Sequence, residues 1–169
     1  TISHLGYIKR TPLADFRQQG RGGVGAKASA ARDEDFIEYV HQANMHSTMM
    51  FFTEQGRLYW IKVYDIPEGN RQSKGRALQN MINIQKGDKV CAFIHVKNLN
   101  DQEYVDNHYL IFATKDGLMK KTTLESYSRP RANGIIALGL REGDRLIRVT
   151  LTDGKSQMLV ASYNGKVVR

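Results

Sequence analysis

This sequence predicts an all-β, propeller-like array of small sheets, and three observations carry that expectation. A hairpin motif recurs four times, an aspartate marker falls between its copies, and a basic, glycine-containing loop sits inside each repeat. The hairpin motif is Ser or Thr, two residues, Gly, any residue, then an apolar residue. It stands at Ser3-His4-Leu5-Gly6-Tyr7-Ile8, Thr53-Glu54-Gln55-Gly56-Arg57-Leu58, Thr114-Lys115-Asp116-Gly117-Leu118-Met119 and Ser162-Tyr163-Asn164-Gly165-Lys166-Val167. The four glycines are 50, 61 and 48 residues apart, and a period near 50 with strands in every unit is the mark of a propeller-like array. The repeats run approximately over 1–47, 48–108 and 109–156, with 157–169 as part of a fourth.

Taken in order, the last three copies follow an apolar run, at 49–52, 110–113 and 158–161. Run, glycine turn, run is a β-hairpin signal, strongest at Asp116-Gly117 and Asn164-Gly165. The marker, Asp-x-apolar, occurs at Asp35-Phe36-Ile37, Asp88-Lys89-Val90 and Asp144-Arg145-Leu146, and each copy opens a strand candidate. In the last of these, alternation over 145–152 places Ile147, Val149 and Leu151 on one face and Arg148, Thr150 and Thr152 on the other. Tyr59-Trp60-Ile61 is apolar on both faces and reads as core of an inner strand. Residues 26–42 fit two readings, an alanine-rich helix or a strand around Phe36-Ile37-x-Tyr39-Val40.

The repeats differ in the loop that follows each hairpin. The first is Arg17-Gln18-Gln19-Gly20-Arg21-Gly22-Gly23-Val24-Gly25, the second Glu68-Gly69-Asn70-Arg71-Gln72-Ser73-Lys74-Gly75-Arg76, the third Ser128-Arg129-Pro130-Arg131-Ala132-Asn133-Gly134. Each carries a net charge of +2 over those residues. Glycines leave backbone N–H groups uncovered and let another backbone or a phosphate come close, while the arginines bring mobile positive charge to the same place. Singly, each loop reads as a solvated turn; three in register predict a basic belt along one side of the array. Charge is also local: residues 9–32 hold six bases and one acid, and 33–38 hold four acids. Gly20-x-Gly22-x-x-Gly25 formally matches the dinucleotide fingerprint, but no strand leads directly into it, so a nucleotide fold is not expected.

Composition excludes several classes of function. With 25 Lys and Arg against 17 acids, the net charge over 169 residues is +8, a balance that suits nucleic acid, an anionic membrane surface or an acidic protein. No run of 18 apolar residues and no signal peptide is present, so the chain reads as cytoplasmic with no membrane partner. The single cysteine, Cys91, lies in the apolar run 90–94 and reads as part of a buried strand, which leaves no disulfide or thiolate zinc site. His4, His41, His46, His95 and His108 lack metal-ligand spacing, and no nucleophile stands with a base; no metal or catalytic residue is expected. The chain opens at Thr1 and closes inside a strand candidate, and so reads as an excerpt of a longer protein.

Residues 19–25 resemble the GyrA box (Gln, basic, Arg, Gly, Gly, basic, Gly) of the C-terminal domain of the DNA gyrase A subunit. The resemblance continues through Asp33-Glu34-Asp35-Phe36-Ile37, Lys62-Val63-Tyr64, Pro67-Glu68, Lys74-Gly75-Arg76, Lys120-Lys121-Thr122, Ser128-Arg129-Pro130-Arg131 and Gly165-Lys166-Val167-Val168-Arg169, in order over essentially the whole chain. It implies a β-pinwheel of about six blades in which neighbouring blades exchange a strand, with three blades and part of a fourth present here. It further implies a rim that wraps duplex DNA, as part of DNA gyrase, an ATP-hydrolysing type II topoisomerase that also contains the remainder of the gyrase A protein and the gyrase B protein. ATP and Mg would serve other parts of that enzyme, so this stretch is expected to need no cofactor and to be non-catalytic. By the same resemblance the anchor is the box, here Gln19, Arg21, Gly22, Gly23 and Gly25, with Arg17 and Lys27 expected to add charge from just outside it, and Arg71, Lys74, Arg76, Lys120, Lys121, Arg129 and Arg131 expected to continue the path. Gly20 and Val24 depart from the box, standing where it usually has basic residues. The corresponding domain of topoisomerase IV and a propeller-type module for an acidic protein partner are the alternatives.

Overall fold

The computed structural model describes residues 1–16, 20–24, 29 and 34–169. Four antiparallel hairpins stand where the motif recurs. The first joins β1 (Ile2–Ser3) to β2 (Tyr7–Ile8) and is followed by β3 (Ile37–Tyr39). The second joins β4 (Thr48–Thr53) to β5 (Arg57–Lys62), after which come β6 (Arg76–Ala77) and β7 (Val90–Val96). A short helix, α1 (Gln102–Asp106), leads to the third hairpin, β8 (Tyr109–Thr114) and β9 (Met119–Thr123), then to β10 (Ile135–Ile136) and β11 (Leu146–Thr152). The fourth joins β12 (Val160–Ala161) to β13 (Val167–Val168). Of the two readings for 26–42, the strand holds over 37–39, while 26–28 and 30–33 lie outside the described residues.

The motif works through local hydrogen bonds. Its hydroxyl accepts the amide of the residue after the glycine: Ser3 from Tyr7, Thr53 from Arg57, Thr114 from Leu118 and Ser162 from Lys166, at 3.1 to 3.2 Å. The glycine amide in turn donates to the carbonyl of that Ser or Thr. The marker aspartate then locks the turn from a distance. Asp35 Oδ1 accepts from the Leu5 amide, Asp88 Oδ1 from Gln55 and Asp144 Oδ1 from Asp116, each being the residue just before the turn glycine.

Burial by itself pushes the Asp35 and Asp144 carboxyls up. Hydrogen bonds from the Ser3 and Thr114 hydroxyls and from backbone amides outweigh it, and both carboxyls sit below the ordinary range. A carboxylate whose folded pKa is depressed contributes stability that is present above the unfolded value, ~4, and lost as pH falls through the folded one. Asp144→Asn is therefore expected to lower the Tm at neutral pH, with the gap to wild type closing as the pH is taken below about 4. Thermal melts of the two proteins across that range check it; a gap independent of pH would rule out the carboxylate as the lock.

One residue later than the strand start, every entering strand carries a bulge at the third position past its aspartate. Glu38, Cys91 and Ile147 are skipped by the ladders, whose partners run Ile2–Tyr39 then Ser3–Ile37, Phe52–Ala92 then Thr53–Val90, and Ala113–Arg148 then Thr114–Leu146. This corrects the alternation expected in β11. The bulge resets the pleat, so Leu146 and Val149 are buried together and Ile147 is 47% exposed. At its own bulge Cys91 is half-buried, and burial, with the Glu54 and Asp88 carboxylates nearby, pushes its thiol up to about 12.

Sheet order shows how the repeats interlock. The sheets run β3-β1-β2-β6, β10-β5-β4-β7 and β11-β8-β9, with β12-β13 as a separate pair. β6 and β10 each leave their own repeat and pair with the hairpin of the one before, β6 on β2 and β10 on β5. This is the strand exchange that the resemblance implied. Between the sheets lie two cores. Met49, Phe51, Tyr59 and Ile61 pack with Ile2 and Ile8 on one side of the second sheet, and Met50, Phe52 and Leu58 pack with Leu110, Phe112 and Leu146 on the other. β4 is buried at all six positions because it is sandwiched, which is why its apolar run has no alternation.

Candidate nucleic-acid interface

Two of the three basic loops are held by the exchange itself. In the second loop, Gly75 directly precedes β6, has φ +75°, and a Cβ there would lie 2.8 Å from the Ile8 carbonyl oxygen. In the third, Gly134 directly precedes β10, has φ +66°, and a Cβ would lie 2.6 Å from the Leu58 carbonyl oxygen and 2.7 Å from the Tyr59 ring. Ile8 and Leu58 are equivalent, each two residues past its hairpin glycine. These two glycines thus answer to the fold, letting the loop cross tightly over the preceding hairpin. Gly22 differs: its φ is +75°, and nothing lies within 4 Å of a Cβ there or at Gly20.

The described part of the first loop is an open turn in which the Gly23 amide donates to the Gly20 carbonyl, with Arg21, Gly22 and Gly23 exposed. Arg17, Gln19, Gly25 and Lys27 lie outside the described residues. In the second loop Lys74 and Arg76 are exposed and Arg71 is half-buried; in the third Arg129 and Arg131 are exposed. Among the described residues, none of Arg21, Arg71, Lys74, Arg76, Arg129 and Arg131 forms an ion pair. The one acid of the second loop, Glu68, is taken by Arg10. The loops therefore present uncompensated charge to solvent, which is what a polyanion needs.

Lys120 and Lys121 do not share this setting. Neighbours in a strand point to opposite faces. Lys121 lies 4.1 Å from the centre of the Tyr109 ring, beside the Gly154 turn. Lys120 borders a groove of about 230 Å³ with Phe112, Met119, Leu140 and Arg141. Other bases counted in the net charge have partners within the chain. Arg10 donates to the Ile66 carbonyl and pairs with Glu68, Arg57 donates to the Tyr59 hydroxyl and the Asn133 carbonyl, and Arg145 stands 3.7 Å from Glu54. Sequence reasoning counted Lys9 and Arg10 only as part of a basic stretch. Aligning the repeats on their glycines would have singled out Lys9, because it falls where the second hairpin has the buried Tyr59.

A concavity of about 1050 Å³ is lined by residues that include His46, Lys62, His95 and Lys97 but no carboxylate or thiol. Among the described residues no cluster of three potential metal ligands exists, and no helix is long and apolar enough to cross a membrane.

Small sheets, the first two completed by a strand from the following repeat, define a propeller-type, strand-exchanged β-domain. The chain belongs to the family described as the DNA gyrase C-terminal domain, beta-propeller, whose pattern matches residues 1–44, 47–97 and 108–153. It is 43% identical to the DNA gyrase A subunit of Aeromonas salmonicida over all 169 residues, which are 18% of that protein, and 43% identical to that of Haemophilus influenzae, over 19% of its length. The chain thus spans about a fifth of the curated relatives it matches. In fold it is similar to a C-terminal domain of DNA topoisomerase IV (TM-score 0.79, 24% identity, 99% of this chain and 49% of that one). It is likewise similar to a DNA gyrase A C-terminal domain (TM-score 0.65, 22% identity, 89% and 46%).

Proposed function

We propose that this domain binds duplex DNA without reading its sequence and wraps it along the basic loops, within a gyrase whose other parts, the remainder of the gyrase A protein and the gyrase B protein, supply cleavage and ATP hydrolysis. The observation that carries this reading is the set of loops at equivalent places in successive repeats, with solvent-facing cations that no acid among the described residues neutralises. Arg and Lys there neutralise phosphates and release counterions, and uncovered amides of the glycine loop add hydrogen bonds to phosphate oxygens. Bending a site of 20–30 base pairs through 40–90° costs on the order of 1–6 kcal/mol, so several loops must act together. The domain itself does no chemistry in this scheme, works in the cytoplasm and needs no cofactor.

The test is to bind the protein that carries this chain to nicked plasmid, ligate, remove protein and read the linking number. Wrapping predicts a positive shift that fades with salt, and Arg21→Gln is expected to remove roughly half of it, as the loss of an anchoring phosphate contact would. DNA bound with no shift would reject wrapping and favour the topoisomerase IV reading, which the altered box positions Gly20 and Val24 leave open. No binding at all would favour a module for an acidic protein.

A further inference from the structure

Lys9 is 4% exposed and, among the described residues, faces no carboxylate. Its ammonium instead donates to three backbone carbonyls of the second basic loop, those of Asn70 at 3.0 Å, Arg71 at 3.2 Å and Ser73 at 2.6 Å. An ammonium has three protons, so this shell satisfies it completely and leaves none for a phosphate. The loop is meanwhile closed on itself by Asn70, whose side-chain oxygen accepts the Gln72 and Ser73 amides, both at 2.9 Å. Residues next to Lys9 stitch down the near end of the same loop. The Arg10 amide donates to Pro67, the Gly69 amide to Arg10, and the Thr11 hydroxyl to the Gly69 carbonyl.

The same position is used again in the next repeat. Three residues past its turn glycine, the second hairpin has Tyr59, whose ring lies against Gly134 of the third basic loop. Arg57 of that hairpin donates to the Asn133 carbonyl beside it. In both repeats, then, the residue three past the glycine meets the loop arriving with the exchanged strand. Lys120 holds that position in the third hairpin.

We infer that Lys9 is a positioning residue: it lies between the first hairpin and the second basic loop and holds Arg71, Lys74 and Arg76 in the geometry that meets phosphate, without touching DNA itself. This rests on the DNA-binding reading above. It makes the second loop's binding competence depend on a side chain contributed by the neighbouring repeat, so the two basic loops act as one surface.

The inference is tested with a random-sequence DNA duplex and four forms of the protein that carries this chain: wild type, Lys9→Met, the triple variant Arg71→Gln/Lys74→Gln/Arg76→Gln, and the two combined. At 0.1 M salt one phosphate contact is worth about tenfold in affinity, so Lys9→Met is expected to lose about tenfold and the triple variant on the order of a hundredfold or more. Adding Lys9→Met to the triple variant is expected to change affinity by less than about twofold, because a residue acting through the loop has nothing left to position. Amide exchange at residues 70–75 should rise in Lys9→Met. Full additivity, or unchanged exchange and affinity in Lys9→Met, would overturn the inference. A triple variant that binds as wild type would instead overturn the DNA-binding role of the loop, while the exchange rates still report on the tether.

If Lys9→Met does not fold, competitive acetylation of the wild-type protein decides. Lys9 is expected to react far more slowly than Lys74 with or without DNA, and only Lys74 to be protected by DNA. Protection of a reactive Lys9 by DNA would make it a phosphate contact and overturn the inference.

Discussion

Raising salt from 50 to 200 mM is expected to weaken binding of the domain to random-sequence duplex DNA by about a thousandfold. The figure follows from the six cations that the basic loops present without an acid partner among the described residues, Arg21, Arg71, Lys74, Arg76, Arg129 and Arg131. Each contact contributes about −0.9 to the slope of log affinity against log salt, so six give a slope near −5. Fluorescence anisotropy across a salt series measures that slope directly. Counting all 25 bases would predict a far steeper fall, but Lys9, Arg10 and Arg57 are spent on carbonyls, a tyrosine hydroxyl and Glu68 of the chain itself. A slope of about −1 or flatter would mean that the loops do not meet phosphate together.

Gly134→Ala is expected to destabilise the protein by about 2–5 kcal/mol, whereas Gly22→Ala should cost about 1–2 kcal/mol. Both glycines have positive φ, and a side chain in that region costs about 1–2 kcal/mol. Only at Gly134 does the new methyl also meet backbone, 2.6 Å from the Leu58 carbonyl oxygen, and overpacking of that kind adds about 1–3 kcal/mol. Urea unfolding of both variants separates the two cases. DNA binding should divide them the other way, since the open turn at Gly22 is the one free to approach phosphate. Equal destabilisation would mean that the exchanged strand can shift to make room.

The hairpins were legible because their chemistry is local: the hydroxyl of Ser3 and the amide of Tyr7 are four residues apart, and so are the equivalent pairs at Thr53, Thr114 and Ser162. The aspartate markers were visible as positions but not as locks, since their bonds span 28 to 33 residues. Bulges at Glu38, Cys91 and Ile147 were invisible, because an unpaired residue leaves no trace in an alternating pattern until the partner strand is known. The basic loops were found by composition, which could not distinguish Gly75 and Gly134, pressed on backbone, from Gly22, open to solvent.

By itself, then, the sequence determined the β-class, the four turns, the repeat and the basic loops between them. All of these rest on residue types acting within a few positions of one another, or on charge that needs no partner to be counted. Only the tertiary structure decided which positive charges are free. Lys9 and Lys74 are the same residue type in equally basic surroundings, yet strand exchange closes three carbonyls around the first and leaves the second in solvent. Whether an ammonium is a tether or a contact depends on which backbone comes to lie over it, and that is set by pairing between segments more than 60 residues apart.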